Sequence, residues 1–250
     1  MNYDIQNIRS NFPALEQKVY NRPLIYLDTA ASAQKTKQVL QLQEKLHNIY
    51  YGNIHRAAHY MADKSTNEFE AVRDKVQKLI GTEHREEIIF TKGTTESVNL
   101  VAFSFAEKYI SKGDEIIVSE MEHHSNIVPW QLAAERKGAK IVVLPFNDTG
   151  ELLIEQLPGL INEKTKIITV GHVSNVLGTI HPVKKIIEMA HQKNVPVFVD
   201  GAQAVQHMKV DVLDLDADFY AFSAHKMYGP NGVGVLYGKK KWLDELPPYQ

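Results

Sequence analysis

Lys226 closes an apolar, aromatic run, Phe219 to Phe222, that breaks into Ser223, Ala224 and His225 and then stops at Gly229-Pro230. A lysine just past a buried strand sits where α/β sheets place their ligands. If it is desolvated it loses its proton part of the time, and the neutral amine is a nucleophile toward aldehydes. The plain alternative is a surface lysine in a strand-to-loop turn, so its partners decide the matter. Asp200 directly follows the β-type residues Pro196 to Val199 and opens Asp200-Gly201-Ala202-Gln203. An aspartate there is costly to bury unless a cation meets it. Thr91-Lys92-Gly93-Thr94-Thr95-Glu96 opens a helix after a strand ending at Phe90. Its glycine, two hydroxyls and free N–H groups would cradle a phosphate; a simple threonine N-cap is the other reading.

Two further strand ends carry polar groups. Glu120-Met121-Glu122-His123-His124-Ser125-Asn126 follows one, and Gly171-His172-Val173-Ser174-Asn175 follows another. The paired histidines lack a cysteine or carboxylate cluster at ligand spacing, so an imidazole stacked on a planar ligand suits them better than a metal. His55 and His59 have i,i+4 spacing, but Arg56 stands where a zinc protease needs glutamate, so no metal site is expected. The helix-opening loop is not a nucleotide P-loop, and Gly232-x-Gly234 precedes a strand instead of opening a helix. A phosphate cradle, a stacking imidazole, a buried aspartate and an amine nucleophile are together the needs of pyridoxal 5'-phosphate held as a Schiff base.

Positioning these groups at strand ends requires alternating strands and helices. From residue 86 the pattern predicts strands at Glu87 to Phe90, Glu115 to Ser119, Lys140 to Pro145, Lys166 to Val170, Val195 to Val199, Phe219 to Phe222 and Gly234 to Tyr237. Helices are predicted at Thr95 to Ile110, Ile127 to Lys137, Ile154 to Asn162 and Pro182 to Gln192. Earlier come a short helix at Ile5 to Ser10, a strand at Leu24 to Leu27 and helices at Thr36 to Tyr50 and Ala58 to Ile80. This is an α/β chain with three layers, α/β/α, around a mainly parallel central sheet.

The 250 residues are 44% apolar and 23% charged with net charge -2, which gives no general attraction to nucleic acid or anionic membranes. No apolar run reaches membrane-spanning length and Met1 to Phe12 has no secretory pattern, so a cytoplasmic location is the most economical. There is no cysteine, hence no disulfide, thiolate metal site or thiol nucleophile in this chain.

The chain resembles the cysteine desulfurases of the class-V aminotransferase family, of the sulfur-mobilisation type that serves iron–sulfur cluster assembly. The motifs that carry the resemblance are Leu27-Asp28-Thr29-Ala30-Ala31-Ser32, Gly93-Thr94-Thr95-Glu96-Ser97-Val98-Asn99, Met121-Glu122-His123-His124-Ser125-Asn126-Ile127-Val128-Pro129-Trp130-Gln131, His172-Val173-Ser174-Asn175, Asp200-Gly201-Ala202-Gln203 and Ser223-Ala224-His225-Lys226. The resemblance implies the large domain of a PLP-dependent fold-type-I transferase over 31–250, with 1–30 belonging to a small domain. It implies Lys226 as the Schiff-base lysine and proton shuttle, Asp200 as partner of the pyridinium nitrogen and His123 as the stacking ring. Thr94, Thr95, Ser223 and His225 become phosphate contacts. Gln203 and Asn175 tune the ring hydroxyl and orient the substrate, with Ala30, Ala31 and His55 on the substrate side. The implied reaction takes L-cysteine to L-alanine in a homodimer and passes sulfur as a persulfide to an acceptor protein. Selenocysteine lysis, another class-V reaction, or cofactor binding without turnover are the alternatives. The implied loop cysteine and the arginine that clamps the substrate carboxylate are expected beyond residue 250, where a mid-loop composition, Pro247-Pro248-Tyr249-Gln250, reads as an interruption.

Overall fold

Runs such as Ile116-Ile117-Val118 and Phe198-Val199 are apolar on consecutive residues, so both faces of the strands they form must be covered. The computed structural model describes residues 3–249, leaving 1–2 and 250, the outermost residues of the two expected segments, outside it. Its strands are β1 (Lys18–Val19), β2 (Arg22–Pro23), β3 (Ile88–Thr91), β4 (Glu115–Ser119), β5 (Lys140–Leu144), β6 (Thr165–Gly171), β7 (Val197–Asp200), β8 (Phe219–Ser223) and β9 (Gly234–Gly238). Its helices are α1 (Ile5–Ser10), α2 (Lys37–Lys45), α3 (Tyr60–Ile80), α4 (Thr94–Tyr109), α5 (Val128–Lys137), α6 (Leu157–Leu160), α7 (Val183–His191), α8 (Val212–Leu215) and α9 (Lys240–Leu243). β1 and β2 pair as a small hairpin, and the other strands form one sheet in the order β3-β9-β8-β7-β6-β4-β5. β5, β4, β6, β7 and β8 are mutually parallel, and β9 runs against both β8 and β3.

The two-residue period of a strand splits the core into two layers. Ile116 and Val118 face Val101, Phe105 and Trp130 of α4 and α5, with Phe198 and Phe219 alongside. Ile117, Ile168, Val197 and Val199 face the other way, toward Ile186, Ile187 and Ala190 of α7. Trp130 is wholly buried, and truncating a side chain of that kind costs about 3–5 kcal/mol. Pro129 in the first turn of α5 suits a helix start, because its missing N–H needs no intrahelical acceptor there.

The register brings the carboxyl ends of the parallel strands to one rim. Gly171 partners Asp200, Asp200 partners Ala221, and Ser223 partners Gly234, which also faces Thr91 of β3. Gly234 is required at that point, since a Cβ there would lie 2.4–2.7 Å from the backbone of Gly93.

The architecture is the three-layer arrangement predicted, with local differences. Leu24 to Leu27 is not a strand: β2 ends at Pro23, no described strand pairs with the segment, and Ile25 and Leu27 are 77% and 90% exposed. The helix expected over Thr36 to Tyr50 is α-helical only to Lys45, then widens into a π-turn over Leu46–Tyr50. Tyr50 is buried at its end, where Ser65 of α3 donates to the Tyr50 carbonyl at 2.6 Å. α3 starts at Tyr60 because the His59 ring accepts from the Ala62 N–H and caps it. The segment Ile154 to Asn162 forms only a 3₁₀ turn and the single turn α6, as Pro158-Gly159 within it disfavours anything longer. No helix among the described residues is long and apolar enough to cross a membrane.

Candidate active site

β8 delivers the lysine. Its five residues are buried throughout, and at Ser223 the chain turns into a 3₁₀ turn, Ala224–Lys226. The Ala224 N–H donates to Val233 O and the Gly229 N–H to Ala224 O, which close the turn. From the other side the 28–35 loop grips it: the Ala33 N–H donates to His225 O at 2.9 Å and Lys35 Nζ to the same carbonyl at 3.3 Å. Burial pulls the Lys226 pKa down from its ordinary value, while the nearby Asp200 charge opposes that shift. Burial also lowers the pKa of His225, with Lys226 and Lys35 adding to it.

Asp200 ends β7, one strand over. Its Oδ1 accepts from the Ala202 N–H at 2.9 Å, the only hydrogen bond of its side chain among the described residues. Burial raises its pKa, countered by that N–H and by the charges of Lys226 and His123. Behind it the ring of Tyr220 fills the space that a side chain on Gly201 would need, with ring atoms 2.1–2.3 Å from a Cβ placed there. The Tyr220 hydroxyl is bonded to His172 Nδ1 at 2.9 Å, and burial pushes the His172 pKa down to about 4.

The first turn of α4 meets the end of β8. The Thr94 N–H donates to Ser223 Oγ at 2.8 Å, and the two hydroxyls share a second bond at 2.8 Å. Thr95 follows in the same turn, where N–H groups have no intrahelical acceptor. His123 sits beyond β4, its Nδ1 accepting from the Ser125 N–H at 3.1 Å. Gln203 donates to Ala30 O at 2.6 Å and accepts from Gln206 at 3.1 Å. Asn175 is presented by a tight loop in which the Ser174 N–H donates to Thr179 O and Val173 bridges Ile180.

These elements enclose one cavity of about 470 Å³, within the size range of small-molecule sites. Lys226, Asp200, His123, Thr94, Thr95, Ser223, His225, Asn175, Gln203, Ala30 and Ala31 all line it. His55 does not. It pairs with Glu70 at 3.2 Å and packs edge-on against Phe69, so the structure places it outside the cavity wall. The cavity also takes in Asp28, Met121, Glu122, Ser125, Gly171, Val173 and Ala202, which the residue-by-residue reading assigned no role. Among the described residues no group of three His, Asp or Glu is placed to hold a metal ion.

Pyridoxal 5'-phosphate fits this donor set. Asp200 has an oxygen left for a cation in the cavity, the Lys226 amine faces the same space, and Thr94, Thr95 and Ser223 offer hydroxyl and N–H donors at a helix start. The order of these groups around the cavity follows from the strand order β9-β8-β7-β6-β4.

Comparison with known proteins shows the family and the fold. The class-V aminotransferase family model matches residues 25–250. A cysteine desulfurase from Cronobacter sakazakii is 48% identical over the whole chain, which covers 62% of that protein. The crystal structure of an Escherichia coli cysteine desulfurase superposes with a TM-score of 0.90 at 41% identity, and that of a Thermococcus onnurineus cysteine desulfurase with 0.92 at 35%. The chain is covered completely in both and spans 61% and 60% of those proteins. It belongs to the class-V aminotransferase family, with the large-domain fold of the type-I PLP-dependent transferases.

Proposed function

We propose that these residues form the cofactor-binding part of a PLP-dependent cysteine desulfurase that converts L-cysteine to L-alanine and hands the sulfur on as a persulfide. The observation that carries this reading is the pairing of a buried, hydrogen-bond-poor Asp200 with a desolvated Lys226 at the ends of neighbouring strands, in one cavity. The relatives' names supply the substrate.

Pyridoxal phosphate, when bound, supplies an aldehyde for an amine and a ring that draws electrons from a substrate α-carbon. Asp200 accepts from the ring N–H and holds that proton in place, which is the use its buried charge requires. Lys226, whose pKa burial lowers, would hold the cofactor through its aldehyde and would take and return the proton at the α-carbon of cysteine. Thr94, Thr95, Ser223 and His225 hold the phosphate. His123 would stack on the cofactor ring, and Asn175 and Gln203 would orient polar groups of the ring and the substrate. Ala30 and Ala31 keep the substrate side small. His55 enters this reading only if the 52–59 loop shifts from its pairing with Glu70.

The chain holds no cysteine, so the thiol that takes the sulfur comes from outside these 250 residues. Further parts of the proposal are a homodimer in the cytoplasm, a small domain to which 1–30 contribute, and an iron–sulfur assembly protein as acceptor. The test uses the full-length protein incubated with pyridoxal phosphate and borohydride. Reduction should fix the cofactor on the peptide containing Lys226, and the untreated protein should release alanine from cysteine. A protein that stays colourless with added cofactor, or is labelled at another lysine, would overturn the assignment.

A further inference from the structure

Glu122 has no role in the proposed chemistry, yet its carboxylate is the most heavily bonded acid in the cavity wall. The Ser119 hydroxyl and the Gly171 N–H, the latter at 2.6 Å, both donate to Oε1, and Asn126 Nδ2 donates to Oε2 at 2.6 Å. The donor on Asn126 cannot be exchanged for its oxygen. Asn126 Oδ1 is already committed, accepting from Trp130 Nε1 at 3.2 Å and from the Thr169 hydroxyl at 2.7 Å, and Asn126 is fully buried. Gly171 N–H can only donate, so both oxygens of Glu122 accept, an arrangement that favours the carboxylate. Burial pushes its pKa up to about 7, against the pull of these donors.

The placement of those donors gives the contact a purpose. The last β4–β6 partners are Val118 and Thr169, so the Gly171 N–H lies beyond the ladder, and Glu122 supplies the acceptor that β4 no longer provides. Gly171 is also the register partner of Asp200, and the His172 N–H donates to Asp200 O at 2.8 Å. On the other side, Glu122 adjoins His123, whose carbonyl accepts from the Asn126 N–H at 2.7 Å. One side chain thus joins the loop bearing His123 to the strand position beside Asp200.

We propose that Glu122 is a positioning residue that locks the His123 loop onto the end of β6 and so fixes His123 relative to Asp200 across the cofactor pocket. This rests on the cofactor reading above. Glu122→Gln keeps the shape but sets one NH₂ against a donor, a loss of roughly tenfold in affinity where one buried hydrogen bond is exchanged for a clash of donors.

The experiment is a double-mutant cycle on cofactor-depleted full-length protein, titrating pyridoxal phosphate into wild type, E122Q, H123A and E122Q/H123A. The visible circular dichroism per mole of bound cofactor is read in parallel. If Glu122 acts through His123, the double variant binds within about twofold of H123A alone, and E122Q alters the dichroism band in the direction that H123A does. Losses that multiply, or an unchanged band in E122Q accompanied only by a lower melting temperature, would reduce Glu122 to a structural residue and overturn the inference. Should E122Q not fold, S119A, which removes one donor only, takes its place in the cycle and is read by the same criteria. Failure of the wild type itself to bind would sink the cofactor reading and this inference together, a result distinct from multiplying losses in proteins that bind.

Discussion

Asp200 and Lys226 shift in opposite directions on burial, and each partly offsets the shift of the other. Burial raises the aspartate and lowers the lysine, while the attraction between them works the opposite way on both. A cation bound at Asp200 would take over the role of the lysine charge and free the amine. Asp200→Asn should therefore still bind pyridoxal phosphate while turnover falls by about a hundredfold or more, the scale of a lost proton-holding group. Near-normal alanine production by cofactor-saturated D200N would refute the role. Gly201→Ala is the adjacent steric test, because the Tyr220 ring occupies the Cβ position. The expected cost is about 1–3 kcal/mol of stability, as for other overpacked sites, together with weaker cofactor binding as Asp200 moves; an unchanged melting temperature would mean that Tyr220 yields freely. Asp200, Lys226 and Thr94 were legible in the sequence because each combines a costly chemistry with a strand end. Glu122 was not, since its meaning depends on Gly171, a donor 49 positions away that only the fold brings near. His55 shows the reverse: the family resemblance placed it with the substrate side, and its pairing with Glu70 keeps it outside the cavity.

At the level of elements, the phosphate side of the site depends on how closely β9 passes the start of α4. Antiparallel pairing with β3 and β8 sets Gly234 between Thr91 and Ser223, and the Gly93 backbone packs against it. Gly234→Ala must push β9 and α4 apart, which would stretch the bonds between Thr94 and Ser223. Its expected signature is weaker binding of pyridoxal phosphate with a loss of about 1–3 kcal/mol in stability, read by cofactor titration and thermal melting. Affinity unchanged in a folded G234A protein would show that the cradle does not depend on this approach. The alternating strands and helices were readable from residue 86 onward because doubly covered strands must be apolar on both faces. The N-terminal part was harder to read. Leu24 to Leu27 has a strand's composition, but pairing is a tertiary matter, and no described strand lies beside it.

Across the whole molecule, β8 connects two polar clusters of different character. At its carboxyl end stand Ser223 and Lys226; at its start stands Asp218, 1% exposed, far along the sheet from the cavity-lining residues. Asp218 accepts from His191 Nε2 at 2.7 Å, Trp242 Nε1 at 2.8 Å and the Val197 N–H at 2.9 Å, tying α7, α9 and β7 to β8. Burial opposes its ionisation, but the bonds from His191 and Trp242, with Lys239 nearby, outweigh burial and hold the carboxyl down to about 2. A carboxyl depressed in the folded state contributes stability that is complete above its unfolded pKa near 4 and is lost as pH falls toward 2, on the order of 2 kcal/mol here. His191 is shifted the other way, raised chiefly by its bond to Asp218. Its contribution is complete below 6.5 and fades as pH rises through its folded value, so the clamp is strongest between about pH 4 and 6.5. Asp218→Asn leaves Asp216 as the remaining anion for His191 and Lys239 and, by weakening the charge-assisted bonds at Asp218, should cost about 2 kcal/mol, removing most of the acid-side slope in a plot of melting temperature against pH. Because the clamp and the cavity lie at opposite ends of β8, the same substitution should leave pyridoxal phosphate affinity, measured on the folded fraction, within about twofold, as expected for sites that share no partners. A D218N protein that keeps its melting temperature but loses cofactor would reverse that division between the end that holds the sheet and the end that does chemistry.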